Sequence, residues 1–371
     1  MKITRHAAAF GLLAVSTLVL SACGSDRNAP ASANPQLENV QVECGTKPLS
    51  AEGSSAQKNA MDVFARDYSI KCPGQQVNYT KSGSGKGVSS FNAGLVDFGG
   101  SDSPLDAEGG EVDKAAERCQ GNPAWNIPMV FGPVAMAYNI PGVDNLNLNA
   151  DTIAKIYQGQ ITNWNDPAIQ ALNPDAQLPD MNIVPFFRSE ESGTSDNFQK
   201  YLSTATNGAW KGEGKQFQPG PGVGQGKQGT DQVSQAVKAT EGSITYAEWS
   251  YPKNLGLDIA KLDSGAGPVE LNSETVGNAI EGAKIEGQGN DLRVDLDSVY
   301  GNKSPGVYPL VLNTYEIVCS KGYDPETAKS VKAFLTVAAN ANPQQLEEAG
   351  YVPLPEEFKK KVMNSVNAIS S

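Results

Sequence analysis

Val77 to Ser90 reads VNYTKSGSGKGVSS, and this stretch decides the fold class. An extended run over Gln76–Tyr79 gives way to glycines at 83, 85 and 87, interleaved with Ser82, Ser84 and Lys86. A helix is expected over Val88–Leu95, and Val96-Asp97-Phe98-Gly99 reads as a short buried strand. Strand, bare loop, helix and strand in succession are the unit of an α/β fold with mostly parallel sheets. A backbone this bare before a helix also invites an anion, because its free N–H groups point at whatever negative group docks there. The nucleotide loops do not fit. Lys86 is followed by Gly87 where the phosphate-binding loop of nucleotide hydrolases needs Ser or Thr, and Thr80 stands where its first glycine belongs. Gly83, Gly85 and Gly87 read G-x-G-x-G, which is not the dinucleotide fingerprint.

Outward from that unit the same alternation continues. Met61, Phe64, Ala65 and Tyr68 recur at helical spacing over Gln57–Tyr68. The longest strand-like runs are Phe131–Tyr138 (FGPVAMAY) and Val307–Val318 (VYPLVLNTYEIV). Helices are expected over Ala150–Tyr157, Ser195–Leu202, Thr230–Ala239, Ser273–Lys284 and Pro325–Ala339. No internal repeat is visible. Lys211–Gly229, rich in Gly, Gln and Lys, has the composition of a phosphate cradle, but no strand leads into it and it reads as a solvated loop.

The N-terminus gives the compartment. Lys2 and Arg5 precede an apolar run from Ala7 to Leu20, of signal-peptide length and short for a membrane span. Leu20-Ser21-Ala22-Cys23 resembles the lipobox of bacterial lipoproteins, which makes 1–22 a signal peptide and Cys23 the lipidated first residue of the mature chain. The polar residues that follow, through 44, read as a flexible tether. The formal charge of −12 becomes about −14 without Lys2 and Arg5, which disfavours nucleic acid as a partner. The single histidine, His6, lies in the signal. The mature chain therefore lacks the usual general base, the Ser-His-Asp triad and the commonest zinc ligand, and no metal or other cofactor is expected. Cys44, Cys72, Cys119 and Cys319 form an even set, expected as two disulfides in an exported chain. Of the three pairings, Cys44 with Cys72, which bracket one helix, and Cys119 with Cys319 is favoured.

Four segments are expected to carry small hydroxyls and glycines at helix starts. They are Ser54-Ser55 before the first helix, Ser82-Gly83-Ser84-Gly85, FGGSDSP with Ser101 and Asp102, and FFRSEESGTSDNF with Arg188 and Ser192-Gly193-Thr194. Singly, each has a plain explanation: helix capping for the hydroxyls, a turn for Asp102, and a surface ion pair of Arg188 with Glu190 or Glu191. Together, helix-start amides, hydroxyls and one guanidinium fork suit a small tetrahedral oxyanion.

These blocks, with MVFGPVAMAYNIPG, IYQGQITNWNDPAIQALNP and EGSITYAEWSY, closely resemble in order, from about Leu49 to Pro355, the bacterial phosphate-binding lipoproteins of the PstS family. The resemblance implies an α/β, two-lobe periplasmic-binding-protein fold of the second class, with a ligand cleft between lobes joined by two crossing segments. Placing the crossings near Gly132 and Ser304 gives one lobe from 45–132 and 305–371, and the other from 133–304. It implies a monomer that captures inorganic phosphate at the extracytoplasmic face of the cell membrane, held there by its lipid. Its partners would be the permease subunits of an ABC importer. The implied phosphate-binding residues are Ser55, Ser84, Asp102 (which takes a phosphate proton), Arg188, Ser192, Gly193 and Thr194. Two departures stand out. Ser55-Ala56 replaces the family's frequent Thr-Phe, so an aromatic cleft wall is lost, and Glu190-Glu191 replaces Asp-Gly after the arginine.

An enzyme using the same cradle would need an activated nucleophile, a metal pair or a general base. Ser192 lacks the G-x-S-x-G elbow, and no dense carboxylate cluster accompanies it in sequence, so a receptor without a chemical step is expected.

Overall fold

The computed structural model describes residues 34–371. The signal segment and Cys23 lie outside the described residues.

The strand–loop–helix unit forms, with one shift. Strand β1 (Leu49–Gly53) leads to helix α1 (Lys58–Lys71), then to β2 (Val77–Lys81), helix α2 (Ser84–Asn92) and β3 (Phe98–Ser101). Helix α2 begins at Ser84, four residues before Val88, because Gly83 at its N-cap adopts φ 104° and turns the chain straight out of β2. The glycine loop is thus itself the helix N-terminus. Helix α3 (Glu111–Arg118) precedes the 16-residue strand β4 (Ala124–Asn139).

The main sheet is mixed, not mostly parallel. Its spatial order is β2, β1, β3, the return strand Val311–Cys319, β4, Ser243–Glu248, Val184–Arg188 and Gln225–Lys227. β1 pairs in parallel with β2 and β3, as does Val184–Arg188 with its two neighbours. The middle is antiparallel, because β4 runs one way through the centre and the return strand runs back beside it. Residues 124–133 of β4 pair with the return strand and 134–139 with Ser243–Glu248, so one strand serves both halves of the sheet.

Two apolar cores flank that strand. One gathers Phe64, Tyr68, Phe91, Phe98, Ile127 and Phe334, where the Phe98 and Phe334 rings stack at 5.2 Å. The other gathers Val134, Tyr138, Tyr157, Trp164, Phe198 and Tyr246, with Phe198 stacked on Tyr246 at 4.2 Å. Aromatic pairs at these separations add to what burial of their area contributes.

Two disulfides are present, Cys44–Cys72 and Cys119–Cys319. The tether reading is too long at its C-terminal end. Asn34 is buried and donates to Asp67 at 3.0 Å, Leu37 is buried, and the Leu37 carbonyl accepts from Lys71 at 2.7 Å. Residues 34–44 therefore pack on the body through Leu37, the partly buried Val40 and Val42, these hydrogen bonds and the Cys44 bridge. The expected strand over Val307–Val318 starts only at Val311. Val307–Leu310 is buried irregular chain, with the Tyr308 hydroxyl donating to the Val134 carbonyl at 2.8 Å. Lys211–Gly229 is not simply a solvated loop either. Gln225–Lys227 joins the sheet, Phe217 is buried, and Lys215 pairs with Glu111.

Candidate anion-binding site

Each half delivers its polar groups from strand ends and helix starts. From the first half, Ser55 lies between β1 and α1, Ser84 opens α2, and Asp102 follows β3. From the second, Arg188 ends its strand, Ser192 is the N-cap of helix Gly193–Ala205, and Thr194 lies in that helix's first turn. Asp102 lies in a turn, not at a helix start, with Ser101 Oγ bonded to both the amide and the carbonyl of Ser103. The structure brings all seven expected residues to one place, and Ser55, Ser84, Asp102, Arg188, Ser192 and Thr194 are buried.

They form one connected network. Arg188 Nη1 donates to Thr194 Oγ1 at 3.4 Å, and the Thr194 hydroxyl donates to Asp102 Oδ2 at 3.0 Å. Ser84 Oγ accepts from the Asp102 amide at 3.2 Å. Ser192 Oγ accepts from the Ser195 amide at 3.3 Å, which leaves its O–H free to donate elsewhere. Gly193 is required by close approach: a Cβ there would stand 2.8 Å from both the Asp102 Cβ and Ser84 Oγ. Asp102 Oδ1 is buried and has no hydrogen-bond partner. Burial raises the Asp102 carboxyl above its ordinary range, while the nearby Ser54 and Thr194 hydroxyls and the Arg188 charge pull it back.

Arg188 is no surface partner. Its Nε donates to Glu190 Oε1 at 2.8 Å, Nη2 contacts the same oxygen, and the guanidinium is almost wholly buried. Glu190 Oε1 also accepts from the Gly229 amide at 2.9 Å. The glutamate carboxylate therefore holds the arginine and the N-terminus of helix Gly229–Ala239 together. Glu191 sits at the contact between halves, where its carbonyl accepts from the Gly85 amide at 3.1 Å.

Three residues escaped the sequence reading. Thr230 joins the halves: its amide donates to Ser55 Oγ at 3.0 Å, its hydroxyl lies 2.9 Å from that oxygen, and it accepts from Arg188 Nη1 at 3.2 Å. Its signal, a Gly-Thr pair at a helix start, was the one used for the other segments. Asn197 donates to the Asp102 and Gly193 carbonyls at 2.8 and 2.7 Å, and Tyr300 holds the Asn197 amide oxygen at 2.5 Å. Farther out, Lys215–Glu111 at 2.6 Å and Lys81–Asp231 at 2.8 Å also span the halves.

A family model described as a PBP superfamily domain matches residues 29–342. Phosphate-binding protein PstS 3 of Mycobacterium tuberculosis is 51% identical over 375 residues, covering 100% of both chains. The chain belongs to the PstS family. A more distant PstS, from Methanocaldococcus jannaschii, is 31% identical over 96% of this chain and 93% of its own. The fold is shared with a phosphate-binding protein from Stenotrophomonas maltophilia, at TM-score 0.65 and 21% identity, over 86% of this chain and 93% of that one. The two cores and the strands that pass between them are accordingly the two lobes and crossings of a periplasmic-binding-protein fold. Against the usual PstS pattern, the Ala56 side chain is fully buried where an aromatic often stands.

Proposed function

We propose that this PstS family member captures inorganic phosphate between its lobes and hands it to the permease of an ABC importer. Lobe 1 comprises 45–132 and 305–371, and lobe 2 comprises 133–304. The chain works as a monomer on the extracytoplasmic face of the cell membrane, anchored through Cys23. The observation that carries the reading is the buried convergence of Arg188, four hydroxyls and the Gly193 helix start on Asp102, whose Oδ1 has no donor. A tetrahedral oxyanion with one proton fits that set: it accepts from the guanidinium, hydroxyls and amides, and donates to the lone carboxylate oxygen. Ser55, Ser84, Asp102, Arg188, Ser192, Gly193 and Thr194 hold the ion, with Thr230 as an eighth contact. The protein is a receptor and performs no chemical step. Titration calorimetry with phosphate, sulfate, molybdate and a phosphonate tests the ligand. Phosphate should bind most tightly, and a preference for any of the others would overturn the assignment. Turnover of a chromogenic phosphate ester, with or without divalent metal, would overturn the receptor reading.

A further inference from the structure

Directly under the anion site lies a second acid that the binding network does not use. Glu316, on the return strand, stands opposite Gly100 in the β3 register, and Asp102 is two residues further along. Asp102 lies in the turn just past the end of β3, near enough for its charge to act on Glu316. Glu316 is fully buried, and neither of its oxygens has a hydrogen-bond partner. Its surroundings supply few donors. The Tyr79 hydroxyl donates to the Ser54 carbonyl at 2.8 Å, so toward Gln57 it can only accept, and it takes one of the two Gln57 Nε2 hydrogens at 2.8 Å, leaving only the second to face Glu316. That fixes the Gln57 amide and leaves its Oε1 as a buried acceptor without a donor. The groups facing Glu316 are thus Gln57 from the turn before α1, Tyr79 from β2, Asp102 after β3 and apolar Ile127 from β4. None is a cation. A carboxylate ion buried with one side-chain amide beside it and no cation is costly, whereas a carboxylic acid carries no charge and brings a donor of its own.

We propose that Glu316 is held as a neutral acid beneath the anion site, and that its ionisation sets the alkaline limit of anion capture. The proposal rests on the phosphate reading above. Burial, reinforced by the Asp102 charge and opposed by Gln57, pushes the Glu316 carboxyl up to about 8. Below that pH it is neutral, and the carboxylates of the cleft are Asp102 and Glu190, the latter offset by Arg188. Above it a further negative charge, with no cation to offset it, appears under the bound dianion and repels it. By linkage, the bound anion must equally hold the proton on Glu316, so binding above this pH takes up a proton.

The test is calorimetric titration of inorganic phosphate into the full chain at about pH 7.5 and about pH 9.5, at equal ionic strength. Phosphate is a dianion throughout most of that window, so its own titration contributes little. The parent Kd should rise at least roughly tenfold, while Glu316→Gln, which keeps the shape without the charge, should change less than about twofold. Repeating the parent titration at about pH 9 in buffers of different ionisation enthalpy counts the proton directly, without any variant. A parent Kd that stays level, a variant that weakens in parallel, or no proton uptake would each overturn the role of Glu316. Failure of the parent to bind phosphate even at about pH 7.5 would instead overturn the functional reading.

Discussion

The Thr194 hydroxyl donates to Asp102 Oδ2 at 3.0 Å across the boundary between the two cores, joining residues 92 apart in sequence. With Arg188 donating to Thr194 behind it, this bond makes the cleft a single unit drawn from both lobes. An anion held there touches both sides, and a ligand shifts a domain equilibrium only by contacting its two states differently. Small-angle scattering should therefore show a smaller radius of gyration with saturating phosphate than without. An unchanged radius would count against hinge closure.

Arg188→Ala should weaken phosphate binding by roughly 2–4 kcal/mol, about 30- to 1,000-fold, because the guanidinium is desolvated and its fork serves two acceptors at once. Lysine should restore only part of the loss, since it cannot hold Glu190 and the ligand with one planar group. Calorimetry reads both variants. Wild-type affinity in the alanine variant would place Arg188 outside the site.

Asp102 should be the selector against sulfate. An ionised carboxylate only accepts, so hydrogen phosphate completes a charge-assisted bond where sulfate meets an unpaired acceptor. Asp102→Asn should change phosphate affinity modestly and raise sulfate affinity by at least roughly 1.4 kcal/mol, or tenfold. Competition between the two anions at equal ionic strength measures it. Continued rejection of sulfate by the asparagine variant would return Asp102 to the role of a turn residue.

Gly193→Ala should hold the cleft ajar. The added methyl would lie 2.8 Å from Asp102 Cβ, and no flexible chain end is available on that side to move away. Binding should fall by at least about tenfold while the melting temperature stays within a few degrees of the parent, because the open lobes pack normally. A variant with parental affinity would show that Gly193 does not need its close approach.

How far the sequence carried the structure depended on local signals. Helices Ala150–Tyr157 and Pro325–Ala339 have the ends their residues announce, the first opened by a reciprocal Asn149–Thr152 cap and the second by Asp324 before Pro325. Strands Leu49–Gly53, Val184–Arg188 and Ser243–Glu248 went unread: the last two are largely buried on both faces and carry little alternation, and the first alternates over only five residues. The site was legible wherever hydroxyls met glycine at a helix start, yet Thr230 was hidden behind a stretch whose composition suggested a solvated loop. Glu316 was invisible for another reason. In NTYEIV it looks like the polar half of an alternating strand, and only the three-dimensional sheet buries it fully with no cation beside it.

The two cystine bridges impose a timetable on a chain emerging amino end first. Cys44 and Cys72 are 28 residues apart and meet early, around a single helix. Cys119 must wait for Cys319, 200 residues later, on the strand that completes the first core. Through that interval the second core, built largely from the residues between them, can assemble by itself, while Cys119 remains a free thiol open to the wrong partner. A cell making this protein in quantity therefore needs a disulfide-exchange catalyst most during synthesis of the last third of the chain, and starving it of one should trap an intermediate with a finished second lobe and an open first.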